Sequence, residues 1–206
     1  MVALSTGRWA VREARAAIAG SLGLPARPMG TPPPDAEESR GVFVTLVDHP
    51  SGRLRGCIGY PLPVLPLEQA IRGAAVASAH EDPRFPSLLP EEFDRIVVEV
   101  SILTPPQPIA ASDPEGRLAS VEVGRDGLIV RARGASGLLL PQVAVDQGWD
   151  ASEFLDATCE KAGLPFAAWR QASTVVERFR AEVFAEVEPN GPVAPRRGAP
   201  SGRSAP

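Results

Sequence analysis

The sequence predicts an α+β fold, a largely antiparallel sheet flanked by helices. Apolar residues alternate over short runs at 42–48, 96–102 and 179–185, the two-residue period of strands. Short turn-forming segments such as Pro50-Ser51-Gly52 and Gly124-Arg125-Asp126-Gly127 join neighbouring runs, which suits hairpins rather than parallel crossovers. Helical periodicity falls in separate blocks and does not alternate with every strand.

Along the chain, Thr6 is positioned as the N-cap of a first helix carrying Trp9, Val11 and Ile18 and ending near Gly20 or Gly23. Pro25–Arg40 is rich in proline and then acidic, a loop composition. From Gly41 to His49, Val42, Val44 and Leu46 oppose Phe43, Thr45 and Val47, giving a strand buried on both faces or nearly so. The turn at Pro50-Ser51-Gly52 returns the chain as a hairpin into Leu54-Arg55-Gly56-Cys57-Ile58-Gly59. Pro66 suits the start of a helix, with Glu68 near its positive end. Ala70, Gly73, Ala74 and Ala77 give that helix a small-residue face that can lie close on a sheet. Asp82-Pro83 stops it.

Ile96, Val98, Val100 and Ile102 alternate with Val97, Glu99 and Ser101 in a strand stopped by Pro105-Pro106. Val121–Val123 and Leu128–Val130 flank the 124–127 turn as a predicted hairpin, and Leu138–Leu140 reads as a short buried strand. Asp150 and Glu153 form a capping box for a helix ending at Gly163, with Phe154, Leu155, Thr158, Cys159 and Ala162 on its inner stripe. A long last strand alternates Phe179, Ala181, Val183 and Ala185 with Arg178, Arg180, Glu182 and Glu186. Residues 1–188 are expected to form one domain, and 189–206 a disordered tail rich in Pro, Gly and Arg.

Composition narrows the function. A net charge of −4 gives no push toward nucleic acid or anionic membrane. Apart from Lys161 the basic residues are arginine. No apolar run approaches the length of a membrane span, and the N-terminus lacks the apolar core of a signal peptide, so a cytoplasmic protein with reduced thiols is expected. The two cysteines, Cys57 and Cys159, form no CxxC and no Cys/His cluster, which argues against a structural metal site. The 124–127 block lacks the strand–loop–helix context and the lysine of a phosphate loop, and no cofactor motif is present.

The hexapeptide 54–59 is the sharpest motif. On a strand, Leu54, Gly56 and Ile58 share an inward face, while Arg55 and Cys57 point the other way beside glycines. A thiol facing a cleft beside Arg55 would be a reactive pair, because a guanidinium lowers a thiol pKa. Cys57 read as a small buried filler is the alternative. A Cys–His mechanism has only His49 and His80 to draw on. Asp82 and Arg84 lie in a loop after a helix, where they can bind a ligand or hold the loop by an ion pair, with Phe85 as its anchor. Gln142 can read a ligand edge through donor and acceptor, or cap a buried backbone group. Trp149 and Trp169 read as core residues.

Residues 54–59 also resemble the hallmark hexapeptide of the AMMECR domain family. Further blocks follow in the family's order: Glu81-Asp82-Pro83-Arg84-Phe85-Pro86, Ser101–Pro106, Gly124–Leu128, Gly137–Ala144, then Trp149 and Glu153-Phe154-Leu155. The resemblance runs from about Trp9 to Glu186 and is to the AmmeMemoRadiSam system protein A type. It implies a compact α+β fold with a larger and a smaller subdomain and no established reaction. It also implies work beside a Memo-type protein and a radical-SAM protein. A role in nucleic-acid-linked processes has been suggested for the family, and this acidic chain does not favour it. The leading expectation is a binding or accessory module presenting Gly56, Gly59, Asp82, Arg84 and Gln142 to a small molecule or partner. An enzyme using Cys57 with Arg55 and Asp82 is the alternative, and a nucleic-acid-associated factor the third.

Overall fold

Helix α1 begins the fold at Leu4–Ser21, one turn of chemistry earlier than Thr6 suggests. Thr6 lies inside the helix, buried, and its hydroxyl donates to the Asp35 carboxylate rather than capping the helix end. The computed structural model describes residues 2–25 and 30–196. Part of the proline-rich loop expected at 25–40 therefore lies outside the described residues; a short 3-10 turn, Pro34–Glu37, closes its described part. Strands β1 (Val42–Asp48) and β2 (Leu54–Tyr60) form the expected hairpin, followed by α2 (Leu67–His80), capped by Pro66 and ended before Asp82. A 3-10 segment, Pro90–Arg95, leads into β3 (Ile96–Leu103), buried along its whole length.

The chain continues through β4 (Gln107–Pro108), α3 (Pro114–Ala119), β5 (Gly127–Ala132) and β6 (Ala135–Leu139). Helices α4 (Pro141–Gln147) and α5 (Ala151–Lys161) follow, then β7 (Val175–Phe179), β8 (Ala181–Glu186) and β9 (Val193–Arg196). The fold is α+β, with antiparallel pairings in two sheets flanked by helices. Among the described residues, no helix is long and apolar enough to cross a membrane.

The chain divides into a larger compact unit, running to Leu103 and resuming at Glu182, and a smaller one, Thr104–Ala181. In the larger unit the strand order is β2-β1-β3-β8-β9. Its core packs α1 and α2 on one sheet face: Trp9, Val11 and Ile18 with Ala70, Ile71 and Ala74, against Val42, Val44, Leu46 and the even-numbered residues of β3. Arg15 of α1 and Glu186 of β8 form a buried pair, with Arg15 also donating to the Ile96 carbonyl and Glu186 accepting the Val98 amide.

The smaller unit holds the sheet β4-β7-β5-β6 and its own core around Phe154, Leu155, Leu128, Val130 and Trp169. The Asp150–Glu153 capping box opens α5 as expected, and Cys159 is fully buried on its inner stripe.

Four further expectations are corrected. The 124–127 block is not a hairpin. Both edges of β5 are already taken, by β6 and β7, so Val121–Val123 has no ladder to join. The Asp126 carboxylate instead accepts the Glu122 amide and holds the turn. The hairpin lies one step later, at Arg133 and Gly134, both at positive φ (51° and 78°), the geometry of a two-residue primed turn. Second, the strand at Leu138–Leu140 begins earlier, and Pro141 starts helix α4, so Gln142 is helical and not a strand-end residue. Third, the long last strand is two strands in different sheets, broken at Arg180. There Thr104 takes both backbone groups: its amide donates to the Arg180 carbonyl and its hydroxyl accepts the Arg180 amide. Finally, the tail expected to be disordered after Glu188, residues 189–206, includes β9. Val193 joins the core and β9 pairs with β8, and such pairing outweighs an unpromising composition. Residues 197–206 lie outside the described residues.

Candidate functional site

The hexapeptide forms β2, an edge strand whose only strand neighbour among the described residues is β1. Its Gly56 lies beneath the last turn of α2, where a β-carbon would stand 2.1 Å from the Ser78 carbonyl oxygen. Only glycine allows that approach. Ser78 then ties helix to hairpin: its hydroxyl donates to the Val44 carbonyl and accepts the Ile58 amide. A β-carbon on Gly59 would meet the Val42 carbonyl and the Phe43 ring at 2.3–2.5 Å. The space beside both glycines is thus filled by the chain's own atoms.

An edge strand exposes unpaired backbone groups. At Cys57 one side-chain pair covers them. The Cys57 amide donates to Asp82 Oδ2 (2.8 Å), and Arg84 Nη2 reaches the Cys57 carbonyl (3.4 Å). Asp82 also accepts the Arg84 backbone amide and two guanidinium donors, at 3.1, 2.9 and 2.7 Å. The Arg84 guanidinium is the largest cause that holds the Asp82 carboxyl at about 2, against the opposing pull of burial. This loop therefore does for β2 what a neighbouring strand would do.

The Cys57 thiol is pushed above its ordinary pKa, chiefly by burial. The Thr45 hydroxyl, which donates to Sγ at 3.3 Å, and the Arg84 guanidinium draw it back down, while Asp82 and Glu99 raise it. Arg55 does not take the part expected of it. It is the extra residue of a β-bulge, since Leu46 faces Gly56 and Val47 faces Leu54. Its guanidinium forms a two-pronged pair with Glu92 (2.8 and 3.0 Å). That pairing, before any other cause, lowers the Glu92 carboxyl. The guanidinium acting on the thiol is Arg84's. The His80 ring contacts the Ser21 and Ser87 hydroxyls, and His49 lies in the turn between β1 and β2.

Cys57, Asp82, Arg84, Gly56 and Gly59 are thus brought together, and Gln142 belongs to the smaller unit. Sequence reasoning missed the residues next to the thiol. Register places Cys57, Thr45 and Glu99 in one row across β2, β1 and β3, on the face turned away from α1 and α2. Ser101 lies on that face two residues beyond Glu99. Thr45, Glu99 and Ser101 are 1–2% exposed. Arg196 of β9 donates to Glu99 Oε2 at 3.0 Å. The signal was present: a glutamate and a serine inside an otherwise aliphatic central strand. Among the described residues, no three His, Cys, Asp or Glu side chains gather in a metal-binding group.

Comparison with known proteins adds the context. A family model described as AMMECR1 matches residues 11–184. A Thermococcus gammatolerans protein is 52% identical over 192 residues, covering 91% of this chain and 93% of its own length. Protein MJ0810 of Methanocaldococcus jannaschii is 46% identical, covering 96% and 98%. The crystal structure of the uncharacterized protein PH0010 from Pyrococcus horikoshii superposes with a TM-score of 0.75 at 49% identity, covering 93% of this chain and 97% of that one.

Proposed function

The chain belongs to the AMMECR1 family, and from that premise we propose that it is a cytoplasmic binding or accessory module of the AmmeMemoRadiSam system protein A type. Its recognition site is the largely buried polar row Cys57–Thr45–Glu99 with Ser101, and Asp82 and Arg84 hold the strand edge beside it in place. It binds a small polar molecule and works beside a Memo-type protein and a radical-SAM protein.

The observation that carries this reading is the state of the thiol. Cys57 is kept protonated by burial, accepts a hydrogen bond from Thr45, and has its expected arginine turned away to Glu92. A nucleophile needs the opposite: a lowered pKa and a base within reach. A neutral thiol, a hydroxyl and a buried carboxylate side by side are instead a set of fixed donors and acceptors. Arg55, Arg84 and Arg196 each face a carboxylate, of Glu92, Asp82 and Glu99 in turn, which disfavours a basic nucleic-acid face there.

A thermal-shift screen of small polar metabolites tests the proposal. Hits should lose their effect in Thr45→Val and Cys57→Ser, both of which keep the strand pairing. Hits indifferent to both substitutions would overturn the assignment of the site. A hit that mass spectrometry shows to be consumed, and that Cys57→Ser spares, would establish the enzyme reading instead.

A further inference from the structure

Glu99 and Ser101 stand two residues apart on one face of the central strand β3, opposite Thr45 and Phe43 of β1. Glu99 is 1% exposed, and a carboxylate buried so deeply is stabilised by a cation beside it. Arg196 provides one, with Nη1 3.0 Å from Oε2. Arg196 is nonetheless a peripheral residue, its side chain 46% exposed. It sits on β9, a four-residue strand that contains Pro195 and, among the described residues, pairs only with β8. Pro195 lies opposite Phe184, where its amide would face away from β8, so it spares the ladder and blocks strand addition on the outer side. Beside the carboxylate, the Ser101 hydroxyl is buried and has no hydrogen-bond partner among the described residues. Buried hydroxyls are rarely left so, and an orphan of this kind asks for a partner.

We infer that Glu99 and Ser101 form a subsite for the guanidinium or ammonium end of a small molecule, and that Arg196 occupies it in cis. The inference rests on the proposed binding role of this sheet face and names the ligand class. The carboxylate demands a cation, the seated Arg196 shows that a planar guanidinium tip fits, and Ser101 is free to accept a further N–H. Filling by Arg196 scales the apparent affinity of a ligand by the fraction of time the site stands open. The C-terminal strand thereby makes the subsite answer only to a ligand that displaces it.

Isothermal titration of the full chain with agmatine tests this, with circular dichroism melting to confirm folding. Arg196→Ala should bind agmatine about tenfold tighter than the unmodified chain. Adding Ser101→Ala to that variant should weaken binding about fivefold, and adding Glu99→Gln should abolish it. Arg196→Lys keeps an occupant and should bind no better than the unmodified chain; it carries the test together with Ser101→Ala if the Glu99→Gln variant does not fold. A folded Arg196→Ala that ignores agmatine overturns the inference. So does binding that Ser101→Ala leaves unchanged and that guanidinium ion matches, which would mean only that the gap left by arginine is being filled. If agmatine fails while a ligand of another class binds in a Thr45-dependent manner, the proposed function stands and this subsite assignment alone falls.

Discussion

On the helix-covered face of the larger sheet, alternate positions are Val42, Val44 and Leu46 on β1 and Ile96, Val98, Val100 and Ile102 on β3. On the other face the same two strands present Thr45, Glu99 and Ser101, with Cys57 alongside on β2. Both sets are almost wholly buried apart from Cys57, so burial alone does not tell them apart. The chemistry does. Aliphatic side chains gain about 25 cal/mol for each Å² removed from water. Hydroxyls and carboxylates lose by the same removal unless each finds a partner. The first face is what makes the unit fold. The second costs stability wherever a polar group lacks a partner, as the Ser101 hydroxyl does among the described residues.

The sharpest way to break this contrast is at a charge on the helix-covered side. Glu186→Ala would leave Arg15 buried without its partner and should destabilise the protein by about 3–5 kcal/mol in urea titration. A loss below about 1 kcal/mol would mean that the pair is not the lock between α1 and β8 that its geometry indicates. Gly56→Val comes next. Its side chain would run into the Ser78 carbonyl, at an expected loss of about 3 kcal/mol, or roughly 6–12 °C in Tm. Cys57→Ala, on the opposite face of the same strand, should stay within about 1 kcal/mol of the parent. Reversal of that order would show that the two faces of β2 have been exchanged.

Asp82 offers a pH test of the edge. Its carboxyl falls from 3.8 to about 2 on folding, so its charged form stabilises the native state at neutral pH. That contribution, roughly 2 kcal/mol, is complete above about pH 4 and fades as pH falls through 2. Asp82→Asn should lose about as much at pH 7 and show a shallower decline between pH 4 and 2. Identical acid slopes would remove Asp82 as the clasp of β2.

The smallest effects concern the thiols, read as alkylation rates. Cys57 should react slowly with iodoacetamide at pH 7 and faster as pH rises past the ordinary thiol range, because burial raises its pKa. Arg84→Leu should slow it further, since Arg84 lowers that pKa, and Arg55→Leu should leave the rate unchanged because Arg55 is held by Glu92. Cys159, buried in the core of the smaller unit, should stay silent until unfolding. Fast labelling of Cys57 at neutral pH that depends on Arg55 would restore the reactive-pair reading.

Much of this molecule was legible in the one-dimensional pattern, because strand and helix periods, capping residues and prolines act on nearest neighbours. The β1–β2 hairpin, α2 with its small-residue face, the aliphatic face of β3 and the capping box of α5 all follow from such local rules. The hexapeptide likewise marked where the candidate site lies. Partner choice was another matter. Val121–Val123 has strand-like residues yet no strand, because β5 already has a neighbour on each side. Val193–Arg196 has loop-like residues yet forms a strand, because β8 has an open edge. Arg55 and Cys57 lie two residues apart in sequence, but a bulge and the arrival of Glu92 from another segment gave the thiol to Arg84 instead. Thr45, Glu99 and Arg196 meet only when three separated segments are laid side by side in register. Hydrogen-bond and ion-pair partners are decided by whichever group arrives in three dimensions, and no period along the chain encodes that arrival.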